Sequence, residues 1–132
     1  MSVYGDPERA KLILGEFWTE MLDSPEVGSK LKETGMTALF KIKDPDLVMY
    51  VDEDGIKWGD EAAKMKPVLT LAMSADTVHQ FWLKNLNVAK ALATRQVRTK
   101  GPVPKVMKLL PLLKPANAIY LKYCEKYDLP TD

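Results

Sequence analysis

The first third of the chain changes its period once. Ala10, Ile13, Leu14, Phe17, Trp18 and Met21 recur at the spacing of one helix face, a wide apolar stripe. Asp6 before Pro7 supplies a cap and a first-turn proline for that helix. Ser24-Pro25 repeats the signal for a second short helix, which Gly35 closes. The period then falls to two. Met36, Ala38, Phe40 and Ile42 alternate with Thr37, Leu39, Lys41 and Lys43, a strand that ends at the turn Asp44-Pro45-Asp46. Leu47 to Val51 is a second strand, and the Asp-Gly turn Asp54-Gly55 leads into a third over Ile56 to Gly59. Together these predict an antiparallel meander, with Glu61 to Lys66 as a connector.

The stretch from Pro67 to Leu113 organises the rest. Leu69, Leu71 and Met73 alternate with Val68, Thr70 and Ala72, which predicts a strand. Ser74 is a suitable N-cap for a helix carrying Val78, Phe81 and Trp82 on one face. Val88, Ala91 and Leu92 repeat that spacing after Asn87. Gln96, Arg98 and Lys100 alternate with Val97 and Thr99, so this strand has one wet face. Pro102 and Pro104 open a lysine-studded apolar helix that Pro111 ends or kinks. From Pro115, a last helix spaces Ala116, Ile119, Tyr120, Tyr123, Cys124 and Tyr127; it reads either as core or as a flap over a cavity. The fold predicted for residues 1–132 is a single α+β domain, with an antiparallel-rich sheet of about five strands covered by helices.

Charge sharpens this picture. The net charge is +1, yet residues 1–66 carry 9 Lys and Arg against 14 Asp and Glu, and residues 67–132 carry 10 against 4. No acidic residue stands between Asp76 and Glu125. Such a one-signed stretch favours an anionic partner, nucleic acid or an anionic membrane surface. No aromatic residues interleave with the basic strand to stack bases, which weighs against nucleic acid. Neither a signal peptide nor an apolar run of ~20 residues is visible, and the lone Cys124 rules out an internal disulfide; a cytoplasmic location is expected.

Catalytic chemistry finds little support. Ser74, Asp76 and His79 can be drawn as a hydrolytic trio, but Ser74 reads as a cap and no nucleophile elbow surrounds it. One His and one Cys do not build a zinc site. Asp52, Glu53, Asp54 and Asp60 lack the spacing of a calcium loop. No phosphate-cradling glycine loop opens a helix. No enzyme activity and no cofactor are expected.

The order of these elements carries a resemblance, together with the Ser74-Ala75-Asp76 cap, Ala91 in its short helix, and Arg95-Gln-Val-Arg-Thr-Lys-Gly101 followed by Lys105-Val-Met-Lys-Leu109. Between Val68 and Leu113 the chain resembles the sterol carrier protein 2 (SCP2) family, Gly101 matching the glycine that ends its basic strand. Lys84 and Arg95 stand where that family often has glycine, which leaves the geometry of those two turns open. The resemblance implies an apolar tunnel between sheet and helices that holds a fatty acid, fatty acyl-CoA or sterol-like ligand for non-catalytic binding and transfer. Candidates to line it are Phe40, Met49, Leu71, Phe81, Trp82, Val106, Leu109, Leu110, Leu113, Ile119 and Tyr120. Apolar periodicity alone does not separate a cavity wall from plain core. Opening a dry cavity of ~400 Å³ would cost on the order of 10 kcal/mol, so a large tunnel is expected to be occupied, wet or collapsed. Lys105, Lys108 and Lys114, set among leucines, are the expected transient contact with an anionic membrane. The alternative is an interaction or auxiliary domain that keeps the fold with its tunnel filled. Ligand identity and oligomeric state stay open.

Overall fold

The computed structural model describes residues 3–108, 111 and 113–131. Its elements run α1 (Pro7–Asp23), α2 (Pro25–Thr34), β1 (Ala38–Lys43), β2 (Leu47–Asp52), β3 (Gly55–Trp58), α3 (Gly59–Ala63), β4 (Leu69–Ser74), α4 (Ala75–Trp82), α5 (Val88–Ala93), β5 (Arg98–Lys100), α6 (Val103–Met107) and α7 (Leu113–Lys126). The strands make one sheet in the order β3-β2-β1-β4-β5. The meander β1-β2-β3 is antiparallel, as is β4-β5. Only β1 and β4 run parallel, since the chain must cross back over α3 before β4 can begin. The α+β class is therefore observed, with a mixed sheet.

Strand register sorts the side chains onto two faces. Ala38, Phe40 and Ile42 of β1 share a face with Leu47, Met49 and Val51 of β2 and with Leu69, Leu71 and Met73 of β4, and all are buried. Helix α1 brings Ile13, Leu14, Phe17, Trp18 and Met21 to the same core. Asp6 caps α1 by accepting from the Arg9 amide at 2.8 Å. Helix α2 sits hard against the end of α1: a Cβ on Gly28 would lie 2.3 Å from the Leu22 carbonyl oxygen, a separation only glycine permits.

The other face is mostly open and carries Lys41, Lys43, Arg98 and Lys100, all exposed. Part of it is covered. Ala62 of α3 and the following Met65 pack on Leu39 and Tyr50 in a small second core. This corrects the reading of Glu61 to Lys66 as a bare connector. At five residues, α3 is too short for a helical period to register in sequence.

The two turns left open by Lys84 and Arg95 keep the conformation that glycine favours, with φ of 65° and 63°. After α4, the Lys84 amide donates to Phe81 O and the Asn85 amide to Gln80 O, a Schellman ending built on a lysine.

The chain ends are tied in. The Val3 amide donates to Asp76 Oδ1 at 2.8 Å, and the Arg9 guanidinium donates to Tyr4 O and to Tyr127 O. Along the outside, α7 is laced to α1. Lys126 and Tyr127 donate to Glu16, and Lys122 and Tyr123 donate to Glu20. These hydrogen bonds hold both carboxyls below their ordinary range, and burial, seconded by Glu20, pushes Tyr123 up to about 12.

Candidate functional site

Between the sheet and the helices the core is aromatic. Phe17 is its hub, with ring centroids 5.0 Å from Trp82, 4.9 Å from Tyr120 and 6.2 Å from Trp18. Trp18 also meets Trp82 at 5.4 Å and Phe40 at 5.8 Å. Against this cluster lies an enclosed, almost wholly apolar cavity of about 20 Å³, walled by Trp18, Phe40, Phe81 and Trp82 on one side and by Met21 and Met36 among the remainder. That is room for roughly one water. Val27 and Leu31 of α2, with Ala38 and Val51 of the sheet, complete the wall, in which the methionines are the most adaptable side chains. One detail does not fit plain core. Trp18 is 5% exposed, and its Nε1 is the one buried side-chain polar atom with no hydrogen-bond partner among the described residues. An unmet buried donor costs about 1–3 kcal/mol.

The polar groups nearby are, by contrast, fully spoken for. His79 is 2% exposed. Its Nε2 lies 2.7 Å from the Pro130 carbonyl oxygen and its Nδ1 2.6 Å from the Tyr120 hydroxyl, which lies 2.6 Å from the Tyr4 hydroxyl. A carbonyl only accepts, so Nε2 carries the proton. Nδ1 then accepts from Tyr120, whose oxygen accepts from Tyr4. Burial lowers the pKa of His79 and raises those of both tyrosines, so all three stay neutral. The hydrolytic trio is thereby dismantled: Ser74 Oγ accepts from the Thr77 amide, and Asp76 accepts from Val3, while His79 faces Tyr120.

Residues 18–114 match the SCP-2 sterol transfer family. The chain belongs to that family. Its fold agrees. Sterol carrier protein 2 from Yarrowia lipolytica (apo form) superposes with a TM-score of 0.61 at 17% identity, covering 80% of this chain and 87% of that one. The UbiJ-SCP2 ubiquinone synthesis protein gives 0.57 at 15%, covering 83% and 99%. Palmitated SCP2L2 from Aedes aegypti gives 0.51 at 17%, covering 74% and 92%. A search of curated proteins found no match. As an SCP-2 family member this is a domain of the lipid-binding and transfer class.

The SCP-2 framework locates the residues singled out in the sequence. Phe40, Phe81 and Trp82 line the cavity. Met49, Leu71 and Tyr120 are buried but do not line it: Met49 stands opposite Phe40 and Trp58 in the sheet, and Tyr120 packs on the Phe17 ring. Ile119 is only half-buried at the core margin. Leu109 and Leu110 lie outside the described residues, as do the side chains of Val106, Leu113 and Lys114. Lys108 is exposed, Lys105 half-buried, and Met107 between them is 43% exposed. Sequence reasoning placed Trp18 and Met21 on an apolar core stripe without marking them as cavity residues. The one available signal was an indole N–H in an otherwise apolar stripe. No helix among the described residues is long and apolar enough to cross a membrane.

Proposed function

We propose that this SCP-2 domain binds a lipid with a single long apolar body and an oxygen-bearing end, of the fatty acid, fatty acyl-CoA or sterol-like class, and transfers it without chemical change. The observation that carries this reading is the unpartnered Nε1 of Trp18, a residue that lines an enclosed apolar cavity. A ligand oxygen would satisfy that donor while its hydrocarbon displaces the mobile thioethers of Met21 and Met36. Each methylene buried contributes about 0.8 kcal/mol, so a long chain has the free energy to part α2 from the sheet.

The test is titration of the purified protein with a fluorescent stearate, followed by competition with unlabelled fatty acid and sterol. Trp18→Phe keeps an aromatic ring but removes the N–H together with part of the indole, and should weaken binding about fivefold or more, at least the worth of one neutral hydrogen bond near 1 kcal/mol. Equal affinity of Trp18→Phe and the parent protein would remove Trp18 from the ligand's polar end. Absence of any saturable binding would favour the second reading, an auxiliary domain with a filled core, which the 20 Å³ volume supports.

Transfer requires a meeting with a membrane, and we assign that to Lys105, Lys108 and Lys114 flanking the exposed Met107. Each cation near an anionic surface contributes about 1 kcal/mol, enough for reversible contact. Changing all three to Glu should slow transfer to phosphatidylserine vesicles several-fold at low salt and leave ligand affinity unchanged. Unaltered transfer rates would show that these lysines only solvate the domain.

A further inference from the structure

The open face of the sheet carries a basic groove that shares no lining residue with the apolar cavity. Register sets Val48, Lys41, Ala72 and Arg98 side by side across β2, β1, β4 and β5, and the next rung sets Lys43 beside Ser74. On this face β4 carries the small side chains Ala72 and Ser74, with Met73 between them also in the lining. Lys41 and Lys43 rise on one side of this strand and Arg98 on the other. Lys41 and Arg98 are two strand spacings apart, about 9–10 Å at the backbone. Beyond Arg98, Arg95 closes the same side. The result is a groove of about 470 Å³, within the size range of small-molecule sites.

Its charge is not neutralised internally. Asp44 and Asp46 stand at the end of the groove, yet the only ion pairs among the described residues are Lys122–Glu20 and Lys126–Glu16, on another part of the molecule. Four cations thus point around a small-residue floor with no carboxylate bonded to any of them. Arg95 is also held at φ 63°, where glycine would sit without strain, so the chain keeps a guanidinium at a position whose backbone disfavours it.

We propose that this groove binds a small phosphate-bearing molecule in solution, a diphosphate or a doubly charged phosphate ester, with its uncharged part resting on Val48 and Ala72. Lysine and arginine on opposite walls match the several oxygens of such a group, and the Arg98 fork can engage two of them at once. Tyr50 is the one aromatic residue on this face of β2, and it is 4% exposed beneath α3, so nothing offers a base a stacking platform. The groove is recessed along β4, which suits a discrete ligand better than a flat bilayer.

The probe is inorganic pyrophosphate, titrated into isotope-labelled protein and followed by amide chemical shifts. Shifts should saturate and cluster at residues 41–43, 72–74 and 95–98. Lys41→Ser combined with Arg98→Ser, both exposed sites, should weaken binding about tenfold or more with an unchanged melting curve. Ala72→Met keeps every cation and fills the floor, and should weaken binding comparably. Lys105→Ser with Lys108→Ser should leave it as it was. Unsaturable shifts spread over all basic residues would overturn the proposal, and so would equal binding by the Lys41/Arg98 variant. Vesicles of phosphatidylcholine with phosphatidic acid form the second arm: if they bind through these residues while pyrophosphate does not, the groove is a membrane surface and the proposal fails.

Discussion

Phe17→Ala should cost the protein about 3–5 kcal/mol of stability, the range for removing a fully buried aromatic ring. Phe17 is 0% exposed and its ring touches four others, those of Trp18, Trp82, Tyr120 and Tyr123. It joins the cavity wall on one side to α7 on the other. Its loss should therefore also release α7, read as faster amide exchange from Ala116 to Cys124 relative to the sheet. Urea denaturation gives the free energy, and Leu12→Ala on the same helix, 52% exposed, is the control expected to shift it by no more than about 0.5 kcal/mol. A cost for Phe17→Ala below that of an ordinary methylene deletion would mean that the aromatic cluster is not what holds α7 down.

Tyr120→Phe should be comparably damaging, at roughly 2–6 kcal/mol. Deleting this hydroxyl strands the Tyr4 O–H donor and the His79 Nδ1 acceptor together, at about 1–3 kcal/mol for each buried group. Tyr4→Phe strands nothing comparable, because Tyr120 still donates to His79, and should cost only about 1 kcal/mol. The order of the two variants is the sharp part of the expectation. Equal costs would mean that the donors do not run from Tyr4 through Tyr120 to His79. The same network makes the parent protein acid-sensitive. His79 has its pKa lowered by burial, so on acidification the unfolded chain takes up the proton before the folded one. Stability should be independent of this group above about pH 6.5, decline as the pH falls below that value, and cease to decline from this source once the folded pKa is passed. His79→Gln should flatten that part of the profile, measured by urea midpoints across the pH series.

Much of the fold was legible because its signals are local. The stripe from Ala10 to Met21, the Asp6 and Ser74 caps and the alternation of Leu69, Leu71 and Met73 each lie within one element. There the backbone period alone decides which side chains share a face. The match of Gly101 has a different basis: its φ is 124°, and a Cβ there would stand 2.8 Å from the carbonyl oxygen of Val68, which is distant in sequence. Helix α3 escaped because one turn has no period to read. The candidate site was legible only as a list of apolar residues. Phe40, Phe81 and Trp82 reach the cavity and Met49 and Leu71 do not, although all five sit at equivalent inward positions of their elements. The difference lies in how elements distant in sequence stack, which a one-dimensional period does not contain.

The sequence by itself determined the longer elements, their order, the faces they bury and the membership of the SCP-2 family, since these follow from short-range geometry and from pattern. Only the tertiary structure decided that the enclosed apolar space is about 20 Å³ and that Trp18 Nε1 is buried without a partner. It alone carried His79 away from Ser74 to Tyr120, 41 positions along the chain. It also brought Lys41 and Lys43, from the acidic half of the sequence, beside Arg98 from the basic half. The physical reason is common to all of these. Strand pairing and helix stacking convert long sequence separations into contacts of a few ångströms, and charge, hydrogen bonding and free volume are properties of those contacts.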